Sequence, residues 1–284
     1  MTLQAWLRKG EASLGAGPHP DRARRDAETL LLHVVRRERA ALLARWTEKL
    51  EAEEAARYVE LIDRRLAGEP IQYILGETEF YGLPFRVTPD VLIPRPETEH
   101  LVEKVIEIAG RLPAALNAPR IVDIGAGSGA IAVALAHELP QARITAIDLS
   151  APALAIAQEN AQRNGVAVRF LRGDLLAPLG EEPFEIVVSN PPYVPSADRA
   201  TLAVEVRDYE PALALFAGGD GLDVYRRLIP AAFDVLTHGG SLALEIGYGQ
   251  QQAIATLLAQ SRFNQIEFFP DLQGIPRVAC ARRL

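Results

Sequence analysis

Cysteine is almost absent from this chain. With Cys280 alone, neither an internal disulfide nor a cysteine-built zinc site is available, and one sulfur near the C-terminus reads as a small buried apolar residue. Five histidines, His19, His33, His100, His137 and His238, are scattered without ligand spacing, so no metal is expected. Nothing approaches the run of about eighteen apolar residues that a membrane span requires, and the opening stretch MTLQAWLRKGEASLG is amphipathic without a signal-type apolar core. The expectation is a cytoplasmic protein with no membrane partner. Basic charge is in deficit too: 30 Lys and Arg against 37 Asp and Glu leave a net charge of -7. That balance argues against an extended nucleic-acid footprint, although it leaves room for a local basic face.

What is present is ordinary globular material. Hydrophobic residues make up 49% and charged residues 24%, which excludes general disorder, and 284 residues suffice for two domains with real cores. Over residues 1–68 apolar positions recur at helical spacing, with Pro20 opening one helix and Gly68 closing the last, so an N-terminal helical bundle is expected. Ile71 to Ile74, Glu79 to Gly82 and Phe85 to Val87 are short β-prone pieces, read as a β-hairpin linker over residues 69–90. From residue 91 a helix fed by Pro94 and Pro96 leads into alternating strands and helices, the pattern of a parallel sheet covered on both faces. Asn164-Gly165 and Gly239-Gly240 read as left-handed helix ends.

Four expected strand ends carry polar chemistry. Asp123-Ile124 leads into Gly125-Ala126-Gly127-Ser128-Gly129, a loop whose glycines let backbone pass close to a ligand at a helix's positive end. Asp148 ends the next strand, where a carboxylate suits the hydroxyls of a ribose. Asp174 ends the third, in reach of an adenine amino group. The fourth, Phe184 to Val188, stops at Ser189-Asn190-Pro191-Pro192-Tyr193. Neither proline donates an N–H, so carbonyls there stay available, and Asn190 adds a side-chain acceptor beside the ring of Tyr193. Such a turn fits a planar –NH2 group, whether an amide or an exocyclic amine. The glycine loop and Asp148 alone suit a nicotinamide cofactor equally well.

Together these motifs resemble the class I S-adenosylmethionine-dependent methyltransferases, and within them the release factor glutamine N5-methyltransferases of the PrmC/HemK family. The resemblance extends over nearly the whole chain through Glu69 to Ile74, Ile93-Pro94-Arg95-Pro96-Glu97-Thr98-Glu99, Gly221-Leu222-Asp223, Glu245-Ile246-Gly247 and Pro276-Arg277-Val278. It implies an α/β Rossmann-like methyltransferase domain over residues 91–284, with a mostly parallel seven-stranded sheet, and a bundle that docks the substrate protein. It implies that Gly125, Ala126, Gly127, Ser128 and Gly129 wrap the methionine part of S-adenosylmethionine, the product being S-adenosylhomocysteine. Asp148 would hold the ribose, with Asp174, Leu175 and Asn190 also on the cofactor. Many relatives carry an aromatic residue where this chain has Leu175. Asn190, Pro191, Pro192 and Tyr193 would bind the substrate, Asn190 and the Pro191 carbonyl gripping a glutamine amide with Tyr193 against its face. The implied partner is a peptide chain release factor and the expected state a monomer. Enzymes that methylate adenine N6 in DNA or RNA share the Asn-Pro-Pro-Tyr turn and form the alternative.

Overall fold

The computed structural model describes residues 1–113, 116 and 118–284, residues 42 and 43 by their backbone only. The chain divides into two compact units, residues 1–76 with 202–209, and residues 77–201 with 210–284.

The first unit is helical: α1 Leu3–Gly15, α2 Ala23–Val35, α3 Arg39–Ala44, α4 Ala52–Leu66 and α5 Ile71–Leu75. Thr2 caps α1 by accepting from the Ala5 N–H, and Glu51 and Glu54 form a capping box on α4. Leu3, Leu7, Leu30, Leu31, Tyr58 and Leu61 from three helices share one buried core. Ile71–Leu75 corrects the β reading of that stretch. Pro70 starts one helical turn, Gly76 ends it at φ 78°, and Tyr73 and Ile74 are buried, so tertiary packing overrides the β preference of isoleucine and tyrosine. Only the later half of the expected linker is a hairpin.

The second unit begins with that hairpin, β1 Glu77–Phe80 and β2 Leu83–Arg86, followed by α6 Pro96–Gly110. Strands and helices then alternate: β3 Arg120–Ile124, α7 Ala130–Glu138, β4 Arg143–Asp148, α8 Ala151–Arg163, β5 Arg169–Arg172 and β6 Phe184–Ser189. Next come α9 Val204–Tyr209, which belongs to the first unit, and α10 Ala212–Leu215. The chain closes with α11 Asp223–Val235, β7 Leu236–Glu245, α12 Gln251–Gln260, β8 Asn264–Pro270 and β9 Pro276–Arg282. The seven-stranded sheet has the order β5-β4-β3-β6-β7-β9-β8, its first five strands parallel and β9 antiparallel to both neighbours.

Two further expectations change. The hairpin is anchored to the second unit, since Asn160 of α8 accepts from the Arg86 N–H and donates to the Arg86 carbonyl. Gly239-Gly240 does not end a helix: α11 stops at Val235 and the glycines lie inside β7, where a Cβ on Gly240 would meet the Thr237 carbonyl at 2.9 Å.

The central strands β3 and β6 are sheathed by apolar residues on both faces, as the β-branched pairs and triplets Ile121-Val122 and Ile186-Val187-Val188 lead one to expect. Strand order reverses between β4 and β6, on either side of β3, and the carboxyl ends there open the crevice where such sheets bind ligands.

Candidate active site

At that crevice Gly125 and Ala126 donate their N–H groups to the Ile147 carbonyl at 2.8 and 3.0 Å, which folds the loop over the end of β4. Gly125, Gly127 and Gly129 all have positive φ. Their reasons differ. A Cβ on Gly129 would meet the Ala157 Cβ at 3.0 Å, so that glycine lets α7 pack on α8, whereas a Cβ on Gly125 or Gly127 would meet nothing within 4 Å. The loop backbone there faces open space, fitting close approach by a ligand.

Asp148 turns its carboxylate to the same place, accepting from the Gly127 N–H and the Ser150 N–H at 2.8 Å each. Each oxygen keeps a lone pair for a hydroxyl. Asp174 takes the Arg227 guanidinium of α11, and Leu175 beside it holds φ 50°, a left-handed conformation that costs a leucine about 1 kcal/mol. A cavity of about 240 Å3 is lined by Gly125, Gly127, Asp148, Asp174, Leu175, Asn190 and Pro192, with Val91, Leu92, Leu213 and Ala214 supplying apolar wall. Pro191 is buried, and it lies outside the lining along with Ala126, Ser128, Gly129 and Tyr193. A larger hollow of about 650 Å3 over Arg143 and Phe170 is lined by no carboxylate, so chemistry rather than size singles out the smaller one.

Behind the cavity lies a hydrogen-bonded cluster that periodicity did not reveal. Asn190 Nδ2 donates to Thr98 Oγ1 at 3.1 Å, and Thr98 Oγ1 donates to Glu245 Oε2 at 2.6 Å. Tyr193 Oη donates to Glu245 Oε1 at 3.2 Å, and Tyr225 Oη to the Glu245 backbone carbonyl at 2.6 Å. Glu245 is 2% exposed; burial pushes its carboxyl above the ordinary range, opposed by the Thr98 and Tyr193 hydroxyls and the positive charge of Arg277. Gln250 clasps the far side, donating to the Tyr193 carbonyl and accepting from the Gly247 N–H. One signal in the sequence did mark this cluster: a lone carboxylate ends the apolar run Leu242-Ala243-Leu244-Glu245.

The chain is 46% identical to the release factor glutamine methyltransferase of Moorella thermoacetica over 286 residues, covering 100% of this chain and 99% of the relative. It belongs to the release factor glutamine methyltransferase family. The corresponding protein of Geobacter sulfurreducens is 44% identical over 262 residues, 92% of this chain and 90% of its own. Two family models match, the methyltransferase small domain over residues 108–207 and the PrmC N-terminal domain over residues 5–76. Among solved structures, the hMettl16 catalytic domain with a MAT2A 3'UTR hairpin superposes at a TM-score of 0.59 with 15% identity, covering 90% of this chain and 91% of that one. The T. thermophilus 16S rRNA methyltransferase RsmC, solved with AdoMet and guanosine, gives 0.54 at 21% identity over 73% of this chain and 50% of its own. Both likenesses concern the fold. The family's cofactor is S-adenosylmethionine, which the glycine loop's open face and the Asp148 carboxylate fit.

In the strand that leads into the glycine loop, Asp123 bears on stability. It is fully buried in β3, its Oδ2 accepting from the Ala132 N–H at 3.2 Å and its Oδ1 meeting no protein donor. Burial raises its carboxyl to about 7, the nearby Asp148 charge adding to the shift and the Ala132 bond opposing it. Between the unfolded value near 4 and the folded value near 7 the folded state holds the extra proton, so stability is complete at low pH and declines as pH rises through that window. Asp123→Asn has no proton to lose. Its thermal midpoint is expected to gain several degrees on the parent between pH 5 and pH 8. A constant difference across that range would show that Asp123 is ionised throughout.

Proposed function

We propose that the protein transfers a methyl group from S-adenosylmethionine to the side-chain amide nitrogen N5 of the glutamine in the Gly-Gly-Gln motif of peptide chain release factors. The observation that carries this reading is the placement of Asn190 in one cavity with Gly125, Gly127 and Asp148, an amide-binding group beside a cofactor-binding loop. The relatives' shared name supports the substrate.

An amide nitrogen is a weak nucleophile because its lone pair is delocalised into the carbonyl. The cofactor supplies an electrophilic methyl group on a sulfonium. The chain's own contribution is positional. Asn190 Oδ1 and the Pro191 carbonyl accept the two N–H hydrogens of the amide, raising electron density on nitrogen and holding it in line for displacement, with Tyr193 beside the turn. Asp148 and the backbone of Gly125 to Gly129 hold the cofactor, with Asp174 and Leu175 at its adenine end. The proton released from nitrogen on methylation passes by way of Asn190 Oδ1 to water, so no strong base is required. In this reading the helical unit docks the substrate protein, and the enzyme acts in the cytoplasm as a monomer.

The test is incubation with radiolabelled S-adenosylmethionine and, in parallel, a bacterial release factor and duplex DNA. Label is expected in the release factor and lost when the glutamine of its Gly-Gly-Gln loop is replaced. Label in DNA alone would overturn the substrate.

A further inference from the structure

The Pro-Arg-Pro-Glu-Thr-Glu run has no role in the chemistry so far, yet the structure ties it to the site at three points. Arg95 pairs with Glu210 at 2.6 Å, next to the cavity-lining residue Pro211. Glu99 accepts from the Tyr81 N–H at 2.8 Å, docking the hairpin on α6. Thr98, 4% exposed in the first turn of α6, stands between Asn190 and Glu245.

The direction of the bonds through Thr98 matters. A threonine hydroxyl has one hydrogen to give and lone pairs to receive with. At 2.6 Å, against 3.1 Å to Asn190, the Thr98 hydrogen belongs to the bond with Glu245 Oε2. A second hydroxyl, from Tyr193, donates to the other oxygen of Glu245, so both oxygens of that carboxyl are placed as acceptors, and the Arg277 charge opposes the burial that raises it. Thr98 then offers Asn190 only lone pairs, so the –NH2 end of Asn190 turns to Thr98 and its Oδ1 is left for the cavity. An unheld asparagine would present either end, and its –NH2 end facing a substrate –NH2 would set donor against donor.

We infer that Thr98 and Glu245 are positioning residues, a two-bond relay that fixes the carboxamide of Asn190 with its acceptor oxygen toward the substrate. This rests on the amide-methylating reading of the site. Glu245 also holds the Tyr193 hydroxyl, so one buried carboxylate orients both side chains of the turn.

The experiment compares the parent with Thr98→Val, which keeps the shape and removes the hydroxyl, and Thr98→Ser, which restores it. Methyl transfer to a release factor, cofactor affinity by calorimetry and thermal midpoint are measured for each. Thr98→Val is expected to lower kcat roughly 10- to 100-fold, less than the roughly 100- to 1,000-fold for losing a direct transition-state hydrogen bond because Thr98 acts through Asn190, with KM and cofactor affinity within about threefold of the parent. Thr98→Ser is expected to recover most of kcat. Equal rates for parent and Thr98→Val would overturn the relay, as would equal losses in both variants, which would make threonine's methyl group the important part. A measurement on the unsubstituted protein decides the orientation even where Thr98→Val does not fold. With 15N-asparagine labelling, the side-chain amide pair missing from the Asn190→Ala spectrum is expected to show one proton protected from solvent exchange. Two freely exchanging protons would mean that the –NH2 end faces the cavity, and the relay would be wrong. Were the parent to bind cofactor yet leave a release factor unlabelled, the substrate reading would fail while the exchange result still decided the relay.

Discussion

Asn190→Ala is expected to lower methyl transfer by a factor on the order of 1,000 while leaving S-adenosylmethionine affinity within a few-fold of the parent. The asymmetry follows from where Asn190 sits. It is the side chain of the turn that offers both a carbonyl and an amino group, and its amino group is already committed to Thr98. Its Oδ1 is therefore the group that gains most as the amide hydrogens become acidic during transfer, and interactions that strengthen in the transition state govern kcat. In the proposed reading the cofactor is held by the backbone around Gly125 and Gly127 and by the Asp148 carboxylate, none of which this substitution removes. Single-turnover transfer to a release factor and calorimetric titration of cofactor separate the two effects. Transfer within tenfold of the parent would remove Asn190 from the gripping role. A parallel loss of cofactor affinity would instead make it a cofactor residue.

Arg65→Met is expected to destabilise the helical unit by about 3–5 kcal/mol, the range for removing one partner of a buried ion pair. Arg65 is 2% exposed on α4. Its Nε donates to Asp26 Oδ2 at 2.7 Å, and its Nη1 to the Glu69 carbonyl at 2.9 Å and to Glu205 Oε2 at 3.0 Å. Glu205 keeps His19 and Arg22 as neighbours, but Asp26, 5% exposed, would be left as a buried carboxylate facing methionine. The two tryptophans, Trp6 and Trp46, both lie in this unit, so urea unfolding followed by tryptophan emission reports on it selectively. Replacing Asp26 by Leu in the same chain is expected to recover much of the loss. A shift under about 1 kcal/mol would show that water reaches Asp26 readily.

The alternating unit was legible because its signals are local. A β-branched run followed by a glycine loop, or by Asn190-Pro191, marks a strand end from neighbouring residues alone, and the helical stripes of α1, α2 and α4 read the same way. Partnerships were not legible. Thr98 and Asn190 lie 92 residues apart and Thr98 and Glu245 147, and no period in either segment points to the other. Thr98 sits in the first turn of α6, but Pro96 already opens that helix with Arg95 at its cap. The threonine hydroxyl was therefore free for another task. Ile71–Leu75 failed for the opposite reason: its residues favour a strand, and Tyr73 and Ile74 turn inward only because a core awaits them. Asp174 shows a third limit, since its strand-end position was readable but its Arg227 partner, on α11, was not.

The assignment of α9 to the helical unit bears on how the chain is made. Arg65 waits for Glu205, 140 residues downstream, and Gly68 and Ala67 wait for Val204 and Tyr209. During synthesis the first 76 residues leave the ribosome with that seam empty, and it stays empty until more than two-thirds of the polypeptide has emerged. The N-terminal helices are thus an unfinished unit for most of translation. Their last stabilising element arrives on the segment that directly follows the Asn-Pro-Pro-Tyr turn, so the helical unit reaches its full stability only after the turn's own strand has been made.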